Sequence, residues 1–106
     1  MLYIYFIYSD SSSIYYVGHS DNPWRRLIEH NSSELQSFTA KHRPWILKAV
    51  FECGNSRTEA IKLEKFIKKQ KSRKLIEDMI DGKPLYGILA QLVIVKLPDR
   101  VPQVRD

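Results

Sequence analysis

With 106 residues, 43% of them hydrophobic and 27% charged, the chain has the size and composition of one small domain with a single core. Its apolar runs fall short of the roughly 20 residues that cross a bilayer. Its single cysteine, Cys53, excludes an internal disulfide and any Cys-based zinc site. The net charge of +5 favours a polyanionic partner. The opening Leu2-Tyr3-Ile4 lacks the basic start of a signal peptide, so a cytoplasmic protein is expected.

From Leu2 to Tyr8 the residues are almost wholly aromatic or β-branched, a composition that predicts a strand. Asp10-Ser11-Ser12-Ser13 is a turn cluster, and Ile14 to Val17 resumes strand character. Together they predict an antiparallel hairpin with a loop of about five residues. Alternation puts Tyr3, Tyr5 and Ile7 on one face and Ile4, Phe6 and Tyr8 on the other. Tyr3, Tyr8 and Tyr15 read as sheet and core residues. The hairpin can bring Tyr5 and Tyr16 together.

Gly18 is expected to end the second strand at a sharp structural turn. Ser20, Asp21 or Asn22 can cap the helix that follows, and Pro23 suits its first turn. In that helix Trp24, Leu27 and Ile28 make the expected apolar stripe. Arg26 and His30 are i, i+4 neighbours on an adjoining face. Asn31-Ser32-Ser33-Glu34 is expected to break the helix and cap a short second one, and Phe38 to Pro44 is a connector. Trp45 to Phe51 reads as a third strand, with Cys53 a small buried hydrophobe near its end.

Ser56-Arg57-Thr58-Glu59 fits the capping-box pattern and opens the best-defined helix. Ala60, Leu63 and Ile67 form its core-facing stripe, and Glu64 falls within it. A carboxylate there needs a partner. Pairing with an arginine or lysine is at this point at least as strong a reading as ligation of a metal ion. Around it Lys62, Lys65, Lys68, Lys69, Lys71, Arg73 and Lys74 make a basic run that is either a solvated face or a phosphate-binding surface. Ser72 restarts a helix, Arg73 to Ile80, that ends at Asp81-Gly82-Lys83-Pro84. Beyond it Val93-Ile94-Val95 is the most strand-like part, and Ile88 to Leu92 fits helix and strand alike. The tail from Pro98 to Asp106 is polar and expected to be loosely held.

This order of parts resembles the GIY-YIG nuclease domain from Tyr3 to about Ile80. Tyr3-Ile4-Tyr5 corresponds to the first signature element and Tyr16-Val17-Gly18 to the second. Arg26 follows Gly18 by eight residues and His30 by twelve. Asn22-Pro23-Trp24-Arg25-Arg26 followed by His30-Asn31 is similar to the small stand-alone and structure-specific branches. Glu64 matches the family's metal-binding glutamate. Two departures stand out: Tyr3 replaces the first glycine, and no asparagine follows Asn55, whereas many members have one after the metal-site helix.

The resemblance implies an α/β fold (an α+β sandwich) in which a three-stranded antiparallel sheet is flanked by helices, in β-β-α-(α)-β-α-α order. Residues 1–81 would be the nuclease domain and residues 82–106 an extension of unknown role. It further implies a DNA endonuclease using one Mg²⁺ or Mn²⁺ ion, and no small-molecule cofactor, with a place in DNA repair or recombination. In that reading Glu64 holds the metal and Arg26 stabilises phosphoryl charge. Tyr5 and Tyr16 activate and position water with help from His30, Tyr5 being favoured as the base. Arg25, Lys65, Lys68, Lys69, Lys71 and Arg73 would grip phosphates without reading bases, so selectivity would follow DNA shape or strand state. A monomer would nick; an accessory protein or a second copy is a possible partner. The alternative is a nucleic-acid-binding module on the same fold with little or no catalysis. A third class is a basic domain whose partner is RNA or another protein.

Overall fold

A four-stranded antiparallel sheet with helices on both faces makes up the computed structural model, which describes residues 1–32 and 38–97. The elements run β1 (Leu2–Ser9), β2 (Ile14–Ser20), α1 (Pro23–Ser32), β3 (Trp45–Gly54), α2 (Arg57–Gln70), α3 (Arg73–Ile80) and β4 (Val93–Val95). Short 3₁₀ turns cover Thr39–His42 and Gly87–Gln91. The sheet order is β2-β1-β3-β4. The α+β architecture matches the expectation, with one strand more than the three foreseen.

The extra strand is the Val93-Ile94-Val95 segment, which pairs with β3 through Val50↔Val95, Phe51↔Ile94 and Glu52↔Val93. The ambiguous stretch before it is a 3₁₀ turn that buries Leu89, with Leu92 buried just beyond it. These two leucines join the main core and so tie residues after 82 to the sheet. The expected loose tail, 98 to 106, and the Ser33-Glu34 part of the expected helix break lie outside the described residues.

Strand β1 is central, and Ile4, Tyr5, Phe6 and Ile7 are all buried, as a strand covered on both faces requires. Alternation sends Leu2, Ile4 and Phe6 into one core with Ala60, Leu63 and Ile67 of α2 and Met79 of α3. It sends Tyr5 and Ile7 into a second core with Leu27 of α1 and with Trp45, Leu47 and Val50 of β3. In β3, the register shifts between Phe6↔Ala49 and Ile7↔Leu47, which leaves Lys48 unpaired and solvent-facing.

The caps follow the sequence closely. The Ser56 hydroxyl accepts from the Glu59 amide at 3.2 Å, and the Ser72 hydroxyl accepts from the Leu75 amide at 3.0 Å. Asn22 is the residue that caps α1, its side-chain oxygen accepting from the Arg25 amide at 3.1 Å. The other end of α1 is clasped to β3. The Asn31 amide donates to the Trp45 carbonyl at 3.0 Å and accepts from the Trp45 N–H at 2.6 Å. The Arg43 guanidinium donates to the His30 carbonyl at 2.6 Å.

The buried stripe of α1 differs from the expected one. Pro23, Leu27 and His30 face inward, and Ile28 is exposed. Their i, i+4, i+7 spacing is as good a helical stripe as the apolar residues alone would give. What admits a histidine to it is a hydroxyl waiting on the strand below.

Candidate active site

That hydroxyl belongs to Tyr5. Its side chain rises from the middle of β1 toward α1, and its Oη lies 2.8 Å from His30 Nε2. The Arg26 guanidinium lies close by, where its charge acts on the Tyr5 hydroxyl. The bond joins two buried groups, its direction set by the imidazole tautomer. Both groups are thereby satisfied, and among the described residues no buried side-chain polar atom lacks a partner.

The electrostatics keep this pair neutral. Burial pushes the Tyr5 hydroxyl up to about 12, although Arg26 pulls the other way. Burial, followed by the nearby Arg26 charge, brings His30 down to about 4. Arg26 itself is half-buried and donates to Glu29 at 2.6 Å.

Gly18 is not at a turn. It lies inside β2, directly opposite Tyr5 in the β1–β2 ladder. A Cβ at this position would sit 2.4 Å from Tyr5 Oη and 2.5 Å from its Cζ. Glycine is needed here because the tyrosine ring lies flat against the neighbouring backbone, not because the chain bends.

Tyr16 projects from the same face of β2 as Gly18, one alternation further along. Its ring packs edge-on to His30 at 5.3 Å and to Trp45 at 6.1 Å between centroids. Unlike Tyr5 it is only half-buried, and its hydroxyl makes no hydrogen bond among the described residues. The Lys68 ammonium stands 5.1 Å above its ring.

Glu64 reaches the edge of β2 from α2. Its side chain is 18% exposed, with Oε1 2.6 Å from His19 Nδ1 and Oε2 2.7 Å from Lys68 Nζ. The ion pair with a lysine, one of the two alternatives for this carboxylate, is present, and an unforeseen histidine lies beside it. His19 was the functional candidate that sequence reading missed. The signal was available only with the register known: His19 pairs with Ile4, and Ile4 faces α2.

The basic residues divide by position. Lys65 and Lys69 are exposed on the outward face of α2. Lys68 and Lys71 lie on its β2 side, Lys71 closing the helix with a left-handed φ of 49°. Arg73 starts α3, donates to the Ser13 carbonyl at 2.6 Å and lies over the Tyr15 ring at 5.2 Å. Arg25 is exposed on α1, paired with Asp21 at 2.8 Å.

Among the described residues no cluster of three or more His, Cys, Asp and Glu side chains is placed to hold a metal. The donor set at β2 and α2 is one carboxylate with an imidazole beside it. Mg²⁺ takes few protein carboxylates and keeps several waters, so a single half-buried glutamate open to solvent fits that ion. No helix among the described residues is long and apolar enough to cross a membrane.

The family model described as the GIY-YIG catalytic domain matches residues 1–77, a span that holds Tyr5, Tyr16, Gly18, Arg26, His30 and Glu64. No curated protein matches the chain. The match covers the sheet from β1 to β3 and runs into α3, so the chain belongs to the GIY-YIG catalytic-domain family of endonuclease-type nucleases.

Proposed function

We propose that the protein is a metal-dependent DNA endonuclease that hydrolyses one phosphodiester bond per encounter, selecting DNA by shape or strand state. Nucleases of this family generally use divalent metal ions and act on nucleic acid. The observation that carries the reading is the convergence of the hydrogen-bonded pair Tyr5 and His30 with the nearby Arg26 charge, with Tyr16 against His30 and Glu64 joined to Tyr16 through Lys68.

Each residue has a part. Glu64 would hold a single Mg²⁺ or Mn²⁺ ion, which when bound supplies Lewis-acid stabilisation of phosphoryl charge. Arg26 adds a positive charge beside Tyr5, held by Glu29. Tyr5 is 1% exposed and its hydroxyl is engaged with His30, so it serves as the anchor of the cluster. Tyr16, half-buried with an unengaged hydroxyl, is the better placed of the two tyrosines to take a proton from attacking water. This division reverses the expectation that Tyr5 is the base. His30 stays neutral and fixes both rings. Arg25, Lys65, Lys68, Lys69, Lys71 and Arg73 would contact phosphates.

One observation favours the alternative of a binding module: both Glu64 oxygens already have partners in His19 and Lys68. Metal would have to displace the lysine. Titration of the protein with Mg²⁺ or Mn²⁺ by calorimetry, alongside conversion of supercoiled plasmid to open circles, separates the two. The nuclease reading expects binding of one ion and nicking that EDTA stops. DNA binding with neither would establish the module. Cleavage at one defined sequence would overturn shape selectivity.

A further inference from the structure

Beside Tyr16, between the edge strand β2 and the junction of α2 with α3, lies an open groove of about 440 Å³. That volume is within the range of about 300–1,000 Å³ usual for ligand sites. Tyr16, Phe38, Ile14 and Ile76 form apolar walls, and Lys68, Lys71 and Arg73 line the groove with them. None of the lining residues is acidic.

Three features narrow the occupant. Phe38 is 53% exposed, and its ring runs nearly parallel to Tyr16, 28° between planes with centroids 6.2 Å apart. Lys71 is exposed and has no ion pair among the described residues. The groove also shares Tyr16 and Lys68 with the site at Glu64, so a ligand in it lies directly beside that carboxylate. Lys68 and Arg73 are paired with Glu64 and Glu77. Inorganic phosphate would leave the aromatic walls uncovered, and an apolar ligand would leave Lys71 unanswered. A nucleotide uses both, its base against the rings and its phosphate toward ammonium groups. A base stacked inside a duplex cannot reach such a groove, but an unpaired one can.

We propose that this groove takes one unpaired nucleotide of the substrate strand, with its base against Tyr16 and Phe38 and its phosphate toward Lys71. It thereby directs cleavage to DNA with a local single-stranded segment. The proposal deepens the nuclease reading and rests on it for its biological sense, but the binding it requires occurs without cleavage.

The test uses the full chain in EDTA and two duplexes of the same sequence, one fully paired and one with a single-nucleotide flap carrying 2-aminopurine. Affinity is read by anisotropy and stacking by 2-aminopurine quenching. The flapped duplex is expected to bind about tenfold more tightly, with quenching on binding. Phe38→Ala and Lys71→Glu change exposed side chains, and circular dichroism checks that they fold. Each should cut the preference to about twofold. Lys62→Glu, exposed elsewhere on α2, makes the same change of charge and should retain the preference. Equal affinity for the two duplexes, or a preference unchanged in both groove variants, overturns the proposal. Cleavage in Mg²⁺ is scored separately. Preference without cleavage removes the nuclease reading alone, and cleavage without preference removes the groove alone.

Discussion

The hydroxyl of Tyr5 is hydrogen-bonded to Nε2 of His30 across 2.8 Å, linking the central strand to the helix above it. Arg26 lies beside the pair, and its charge acts to lower the pKa of both groups.

Stability should fall on mild acidification because of His30. Its folded value of about 4 lies below the ordinary 6.5, so the unfolded chain takes up the proton first. The contribution is present above pH 6.5 and is lost as pH falls toward 4, amounting to about 2–3 kcal/mol. Urea unfolding at pH 7 and pH 4.5 checks this, and His30→Gln should flatten the difference. Tyr5, raised to about 12 from 10.0, acts at the other end. Its contribution is present below pH 10 and lost as pH rises toward 12.

Gly18→Ala should destabilise the fold by about 1–3 kcal/mol, since the new methyl meets a ring that cannot withdraw. Tyr5→Phe in the same chain should not rescue it, because Cζ remains 2.5 Å from the added carbon. Denaturation of the single and double variants decides the point. Full tolerance of alanine would mean that β2 can shift away from β1.

The two tyrosines should separate by phenotype. Tyr16→Phe is expected to lower kcat by about 10²–10⁴-fold, the usual contribution of a general base, with unfolding unchanged. Tyr5→Phe leaves His30 without its partner and should lower stability by about 1–3 kcal/mol, with a smaller loss of kcat. Denaturation and single-turnover cleavage of both variants measure this. A larger kcat loss in Tyr5→Phe would return the base to Tyr5.

Lys65 and Lys69 should act on DNA of any sequence. Replacing either by alanine should weaken binding uniformly and reduce the slope of log K against log salt by about 1. Filter binding across a salt series measures the slope; an unchanged slope would remove these residues from the interface.

Much of the fold could be read in the sequence because its signals are local. The Ser56 and Ser72 caps, the β1 composition and the Ala60-Leu63-Ile67 stripe each depend on residues a few positions apart. What escaped depends on pairing. Gly18 reads as a turn until it is set opposite Tyr5, and His19 reads as a surface histidine until Ile4 beside it is known to face α2. His30 in the α1 stripe is inseparable from the hydroxyl beneath it, which composition cannot see. Val93-Ile94-Val95 reads as strand-like, but three residues carry no local signal that they pair with β3 as a fourth strand.

Nicking of supercoiled plasmid by the wild-type chain and by Glu64→Gln, in Mg²⁺ and in EDTA, is the most direct measurement. The wild type should yield open circles in Mg²⁺ only. Glu64→Gln, with the same circular dichroism, should be slower by about 10²–10³-fold, as expected when a group that stabilises transition-state charge is removed. Nicking by Glu64→Gln at the wild-type rate, or by the wild type in EDTA, would contradict a metal-dependent site at Glu64.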